Sequence, residues 1–468
     1  MFDDNEDEEY YDDDLSEDIE RFERFLKGDS MGFLDSDRWE VLVDNYILTG
    51  QYNKAVQAAD EALSQFGYID QFRLRKAQAL SGMGKLKDAI NLLAELEGAS
   101  VSPFEVMLTK AAIFSQLRDS NNAIRYFKEA LQLATEAEEK DEVYIDLALE
   151  YQNKGDYQLS INVLKRALKE NPHNEIAVYE LAHSYEQVQD IDAAIKCYSD
   201  FIDDNPYSFT AWYNLGNTYS RQENFEKALW AYDYCLLIND KFGPVHFNMG
   251  NAYMNQEKYT KAIQAFNESL KLDGDDPVAY SYLGECHEQL GEYELAKGHY
   301  HKSIELAPEL PEPWLGLGIV ADLEGDTKAG LPYMHKAYEL DPDNTGVLHV
   351  LAGAYEKLEN REEADFFYQR VLELDPEDEE ALINYVDFLK KESPLTAYNF
   401  INRFAEQGNE DIELLQVLRI SLLYEMGRKV DAEKLFRELA ASNRELALEL
   451  FYVNPDLKNA PEFLLLGD

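Results

Sequence analysis

From Ser36 onward the sequence repeats every 34 residues, and this period limits the possible folds more than any other feature of the chain. The twentieth place of successive units holds Ala55, Ala89, Ala123, Ser160, Ala194, Ala228, Ala262, Ala296, Gly330, Ala364, Tyr398 and Ala432. Eleven of the twelve are therefore Ala, Ser or Gly. Twelve units, with three extra residues near Glu136 to Lys140, account for residues 36–446. Such a period implies one supersecondary element per unit, stacked on its neighbours, so the chain should fold as a linear array rather than around one central core.

Apolar spacing gives the shape of the unit. In the unit starting at Phe209, residues Trp212, Leu215, Gly216 and Tyr219 fall on one helical face. A turn follows at Glu223 and Asn224, and a second helix then places Ala228, Leu229, Tyr232 and Leu236 inward. Gly50, Gly84, Gly155, Gly291, Gly325 and Gly427 stand in the corresponding turns, where a left-handed residue closes a helix. Pro172, Pro206, Pro308, Pro342 and Pro376 follow the second helix, where the chain must stop and restart.

The run Trp212-x-x-Leu215-Gly216-x-x-Tyr219, followed by Ala228-x-x-x-Tyr232, resembles the tetratricopeptide repeat signature. Met249, Gly250, Tyr253, Ala262 and Phe266 repeat it in the next unit, as do Leu351, Ala352, Tyr355, Ala364 and Tyr368 further on. With its acidic leader the chain resembles bacterial arrays of this family. The resemblance implies an all-α fold, a right-handed α-solenoid of about twelve hairpins, in which the first helix of each unit lines the concave side.

The ends depart from the repeat. Residues 1–15 lack apolar periodicity and read as an acidic disordered tail. Residues 16–35 read as an amphipathic capping helix, with Ile19, Phe22, Phe25 and Leu26 on one face, and a linker. The last two units are degenerate, and Pro394 in the turn of the eleventh predicts altered stacking there. Residues 447–468 read as a terminal capping helix and an apolar tail that folds back over the exposed end.

Charge restricts the partners. With 92 acidic and 43 basic residues the net charge is −49, so nucleic acid and anionic membrane surfaces should be repelled. Absence of a basic, apolar leader and of any stretch long enough to span a bilayer predicts a cytoplasmic protein. Cys197, Cys235 and Cys286, an odd number without metal-ligand spacing, fit the same compartment.

No phosphate loop, nucleophile elbow, Cys pair or His-Glu-x-x-His motif occurs, so catalysis and cofactors are not expected. His299 and His301 lie two apart on a helix and diverge, which argues against a shared metal. His287, at a place where most units have Tyr, reads as a hydrogen-bonded packing residue. Helical-barrel hydrolases, the enzyme alternative, need loops of unequal length that this array lacks.

Recognition by a surface remains. The resemblance places a stripe of first-helix residues on the concave side: Ile145 and Leu149, Tyr179 and His183, Tyr213 and Asn217, Phe247, Asn251 and Met254, then Leu315 and Ile319. Asn214 and Asn248 form a second row beside Asn217 and Asn251, both pairs 34 apart. Primary amides donate to and accept from a peptide backbone, so these rows could hold an extended chain without reading its sequence. Equally, they could merely cap or solvate the helix face. The carboxylate clamp of tetratricopeptide proteins that hold acidic chaperone tails needs Lys and Arg, and here those places carry Tyr213, Val278 and Tyr282. A non-enzymatic scaffold is expected, holding an extended protein segment that is neutral or basic. The alternative is a structural protein that self-associates into a homo-oligomer through the apolar stripe.

Overall fold

A computed structural model of the chain describes residues 4–96, 100–409 and 411–466. Every regular element among them is helical, from α1 (Asp4–Phe25) to α26 (Arg444–Val453), and the fold is an all-α solenoid. Between these two lie twelve hairpins. The first pairs α2 (Ser36–Leu48) with α3 (Tyr52–Gln65), and the last pairs α24 (Leu414–Glu425) with α25 (Lys429–Ser442). Even-numbered helices are thus the first of each hairpin. The chain divides into two compact units, Met1–Asp240 and Lys241–Asp468, each with six hairpins. Buried apolar residues form a series of local clusters, as expected when each hairpin packs mainly on its neighbours. No helix among the described residues is long and apolar enough to cross a membrane.

Close approach of the two helices explains the small residues. In the hairpin of α14 (Gly243–Met254) and α15 (Tyr259–Asp273), a Cβ on Gly250 would lie 2.5 Å from Cε1 of Phe266. In the hairpin of α16 (Pro277–Gln289) and α17 (Tyr293–Leu306), a Cβ on Gly284 would meet Cε1 of Tyr300 at the same 2.5 Å. The aromatic ring therefore fills the space that the glycine leaves, and Ala228, Ala262 and Ala296 are fully buried beside it. A second device recurs in register: the ammonium of Lys54, Lys227 and Lys261 sits 5.5, 5.2 and 5.4 Å from the ring centroids of Tyr46, Tyr219 and Tyr253, joining the two helices of one hairpin.

Helix ends follow the same period. Asn174, Ser208, Asn344 and Asp378 accept the N–H three residues on and so cap the first helices that follow Pro172, Pro206, Pro342 and Pro376. At the turn, the six glycines predicted to be left-handed have φ between 70° and 91°. Arg118, Gln189, Glu223, Glu257 and Glu359 occupy the same place in other hairpins, with φ of 57° to 61°. The turn geometry is thus common to eleven hairpins, whether or not glycine supplies it. Ser393 is the exception. It is extended, and its hydroxyl caps α23 (Pro394–Phe404), where Pro394 takes the first helical position.

At the start, α1 begins at Asp4, so helix extends back through most of the segment read as disordered; residues 1–3 lie outside the described residues. Glu is a good helix former, and carboxylates in the first turns favour the positive end of the helix dipole. Further along, Phe22 packs on Trp39 and Tyr46 at 5.8 Å each, and Arg38 grips Asp18 through two hydrogen bonds of 2.7 and 2.8 Å. At the other end the tail folds back: Phe463 lies 4.8 Å from Phe436 and 5.5 Å from Tyr424, and Glu462 pairs with Lys429 at 3.2 Å.

One core contact couples packing to protonation. Tyr300 donates a 2.8 Å hydrogen bond to Glu288, which is only 8% exposed. Burial, with the Glu285 charge adding to it, pushes the Glu288 carboxyl up to about 7 against the opposing hydrogen bond.

Three outcomes follow from these contacts. Gly250→Leu or Gly284→Leu should destabilise by about 1 to 3 kcal/mol through overpacking, measured by thermal unfolding. Glu223→Gly should stabilise by roughly 0.5 to 1 kcal/mol, because glycine adopts the left-handed turn without strain. Between the ordinary glutamate value and about 7, the folded chain binds more protons at Glu288 than the unfolded chain, so stability should fall as pH rises through that window. Glu288→Gln, which keeps the acceptor for Tyr300, should flatten that slope and stabilise the protein at pH 8 by on the order of 1 to 3 kcal/mol. Denaturant melts of both proteins from pH 5 to 8 would check it, and parallel pH profiles would exclude the assignment.

Candidate recognition surface

Every predicted groove residue falls on a first helix. In the first unit these are α8 (Ala137–Asn153), α10 (Glu175–Gln187) and α12 (Phe209–Arg221); in the second they are α14 and α18 (Pro311–Leu323). In the first unit, polar bonds tie successive first helices together. Gln152 on α8 donates to Glu180 at 2.9 Å and to Ser184 at 3.1 Å. Thr210 on α12 donates to Glu175 at 2.8 Å, and Thr218 donates to Glu186 at 3.0 Å, which also pairs with Arg221. These bonds hold α8, α10 and α12 together in one face.

Two of the predicted residues meet in one cleft. Tyr179, 47% exposed, lines it from α10, and Asn214 lines it from α12. Ile176 and Thr210 join them, while Tyr198 and Phe201 from the second helix α11 (Ile191–Asp204) form an apolar floor. No cationic side chain lines this cleft among the described residues, and Glu175 stands at its edge. His183, Ile145, Leu149 and Tyr213 are half-buried, and Ile145 packs against the local core instead of lining the cleft.

Asn217 is partly committed within its own hairpin, because its side-chain oxygen accepts a 2.8 Å hydrogen bond from Tyr232. Tyr232 is the ring lodged against Gly216, so the amide also serves packing. In the second unit Phe247 lies 5.6 Å from Phe266 and 5.9 Å from Tyr282, and Met254 joins the same apolar cluster. Asn248 and Asn251 are half-buried on α14, and Leu315 and Ile319 are half-buried on α18, Leu315 packed on the core there. Asn214 and Asn217 belong to the first unit, and Asn248 and Asn251 to the second.

The predicted stripe did not include the buried carboxylates. Asp146 sits on α8 between Glu142 and Glu150, and burial together with those two charges pushes its carboxyl up to about 6. Glu150 is 3% exposed and accepts a hydrogen bond from Ser115. The four-residue spacing of Glu142, Asp146 and Glu150 already places them on one helical stripe, which was the available signal. Carboxylates thus stand beside the apolar, amide and hydroxyl groups of this face.

Other candidate chemistry is structurally occupied. His287 shares a 2.6 Å contact from Nδ1 with Glu292 and stacks on His299 at 5.1 Å. Burial pushes the thiols of Cys197, Cys235 and Cys286 up to about 11, 12 and 12, so they stay protonated at neutral pH. Among the described residues no group of three or more His, Cys, Asp or Glu is placed to hold a metal ion.

Comparison with known proteins agrees with the fold. Family models described as tetratricopeptide repeat match residues 104–136, 141–174, 179–244, 244–276, 277–310 and 323–383. No curated protein sequence matches the chain. Among solved structures, the APC/C hetero-tetramer Cut9-Hcn1 is 17% identical, with 83% of this chain and 90% of that one covered and a TM-score of 0.43. A tetratricopeptide repeat protein from Parabacteroides merdae is 16% identical, with coverage of 54% and 98% and a TM-score of 0.42. MamA is 20% identical, with coverage of 36% and 97% and a TM-score of 0.33. Together the repeated signature, the twelve hairpins and these matched segments establish that the chain belongs to the tetratricopeptide repeat family.

Proposed function

We propose that this protein is a non-enzymatic interaction scaffold whose first-helix face holds an extended, neutral or basic segment of another protein. The observation that carries this reading is the cleft of Tyr179 and Asn214, in which an apolar floor of Tyr198 and Phe201 lies under a rim of amide, hydroxyl and carboxylate groups. An apolar side chain of the ligand would be buried on that floor, and the amide would satisfy its backbone. The carboxylates of Glu175, Glu142 and Asp146 favour a segment without negative charge. Protonated thiols and the lack of any nucleophile motif give no support to a catalytic step.

Pull-down from the native cell, with mass spectrometry and then calorimetry on the captured partner, tests this. Tyr179→Ala and Asn214→Ala should each weaken binding, the tyrosine by about tenfold, as expected for an aromatic anchor. Capture that survives both substitutions unchanged would refute the assigned face. Mass that rises with concentration in light scattering, without any captured partner, would favour self-association instead.

A further inference from the structure

The eleventh hairpin departs from the array in three ways that meet at one place. Its turn is extended at Ser393 where eleven others are left-handed, and Tyr398 stands where small residues are the rule. Its second helix α23 also has 11 residues, against 14 in α21 (Arg361–Leu374), and ends at a π-helical segment, Ala405–Asn409. Beside it a cleft of about 950 Å³ opens between these two second helices, with α22 (Glu379–Lys390) behind it. That volume lies within the roughly 300 to 1,000 Å³ of ordinary ligand sites. Because it faces the second helices, the cleft is separate from the recognition face described above.

Its lining follows the helices. Residues 361, 365, 369, 372 and 376 line one wall and residues 396, 400, 404 and 407 the other, so both walls present a residue on each turn. The 14 residues of α21 extend over roughly 21 Å, so the cleft is a trough rather than a round pocket. Tyr385, Leu372 and Phe404 are buried in its floor, and half-buried Phe400 packs edge-on against Tyr385 at 4.7 Å and stacks on Phe404 at 5.5 Å. A trough between two helix ridges with an apolar floor accepts a third helix.

Charge selects the kind of helix. The rim carries the carboxylates of Glu362, Asp365, Glu373 and Glu392 against the guanidiniums of Arg361 and Arg403, and Glu373 also pairs with Arg370 at 3.0 Å. Arg361 already shows how a cation is held here: it pairs with Glu392 at 2.5 Å and lies 5.2 Å from the ring centroid of Phe388. Asp365 accepts hydrogen bonds from Tyr385 at 2.7 Å and Gln369 at 2.8 Å, both neutral donors. We propose that this trough is a second docking site, taking a short amphipathic helix of a partner protein whose apolar stripe is flanked by Lys or Arg.

The test uses the full chain and a fluorescein-labelled helical peptide with Leu at i, i+4, i+7 and i+11 and Lys on its flanks. Two controls are a scrambled peptide of the same composition and the same stripe with Glu in place of Lys. Fluorescence anisotropy should show binding of the Leu–Lys helix that is at least about tenfold tighter than either control. The scrambled peptide matters because any cation will be attracted to a chain of net charge −49. Phe400→Ala, and separately Glu362→Lys combined with Glu373→Lys, should each weaken binding about tenfold, with folding checked by circular dichroism. Hydrogen exchange on the unmodified chain gives a readout that needs no variant, since the peptide should protect residues 361–376 and 394–404. Equal binding of the scrambled peptide, or protection confined to the first-helix face, would overturn the proposal. So would protection of the trough that grows with protein concentration alone, which would assign it to a second copy of the chain.

Discussion

Everything in this fold depends on two helices of a hairpin approaching until an aromatic ring touches backbone. Phe266 against Gly250 and Tyr300 against Gly284 are the clearest cases, and neither leaves room for a Cβ. The contact fixes the spacing within a hairpin, and the spacing fixes which first-helix residues lie beside the next hairpin. Lys over Tyr, in three hairpins, adds a bond between the same two helices near the turn. Tyr232 and Tyr300 then extend the aromatic contact outward, because their hydroxyls reach Asn217 and Glu288 on the first helix. Polar residues of the first helices are thereby positioned by the core.

The hairpins could be read from the sequence because their determinants are local and repeat. The place of Ala228 relative to Tyr232 says which face of a helix is inward, and the Pro stops say where each hairpin ends. Turn conformation was legible only where glycine marked it. Arg118, Gln189, Glu223, Glu257 and Glu359 adopt the same left-handed geometry because the packed helices on either side impose it, and nothing in those side chains announces it. Start of the first helix at Asp4 was illegible for a related reason: apolar periodicity begins only after Ser16, while the helix-forming tendency of acidic residues leaves no periodic signal.

The candidate recognition surface was less legible. Spacing put Tyr179 and Asn214 on first helices, but it could not show that Phe201, from a second helix, supplies the floor between them. Phe247 and Met254 satisfied the same spacing and turned out to be packed on the local core. A half-apolar stripe does not distinguish these outcomes, since a side chain next to the packing face can rest on it or lean away. The carboxylates of Asp146 and Glu288 were visible as letters, whereas their protonation depends on how much water neighbouring hairpins exclude.

The shared turn also bears on how such a chain can change over generations. Within either unit, hairpins folded about one turn geometry are interchangeable parts, so duplication or loss of a whole 34-residue segment leaves each remaining hairpin beside a neighbour of familiar shape. Ser393 ends that freedom. A segment copied across it would set a regular hairpin where an extended turn and a shortened helix are built in, so the C-terminal part of the array should lengthen and shorten less readily than the rest.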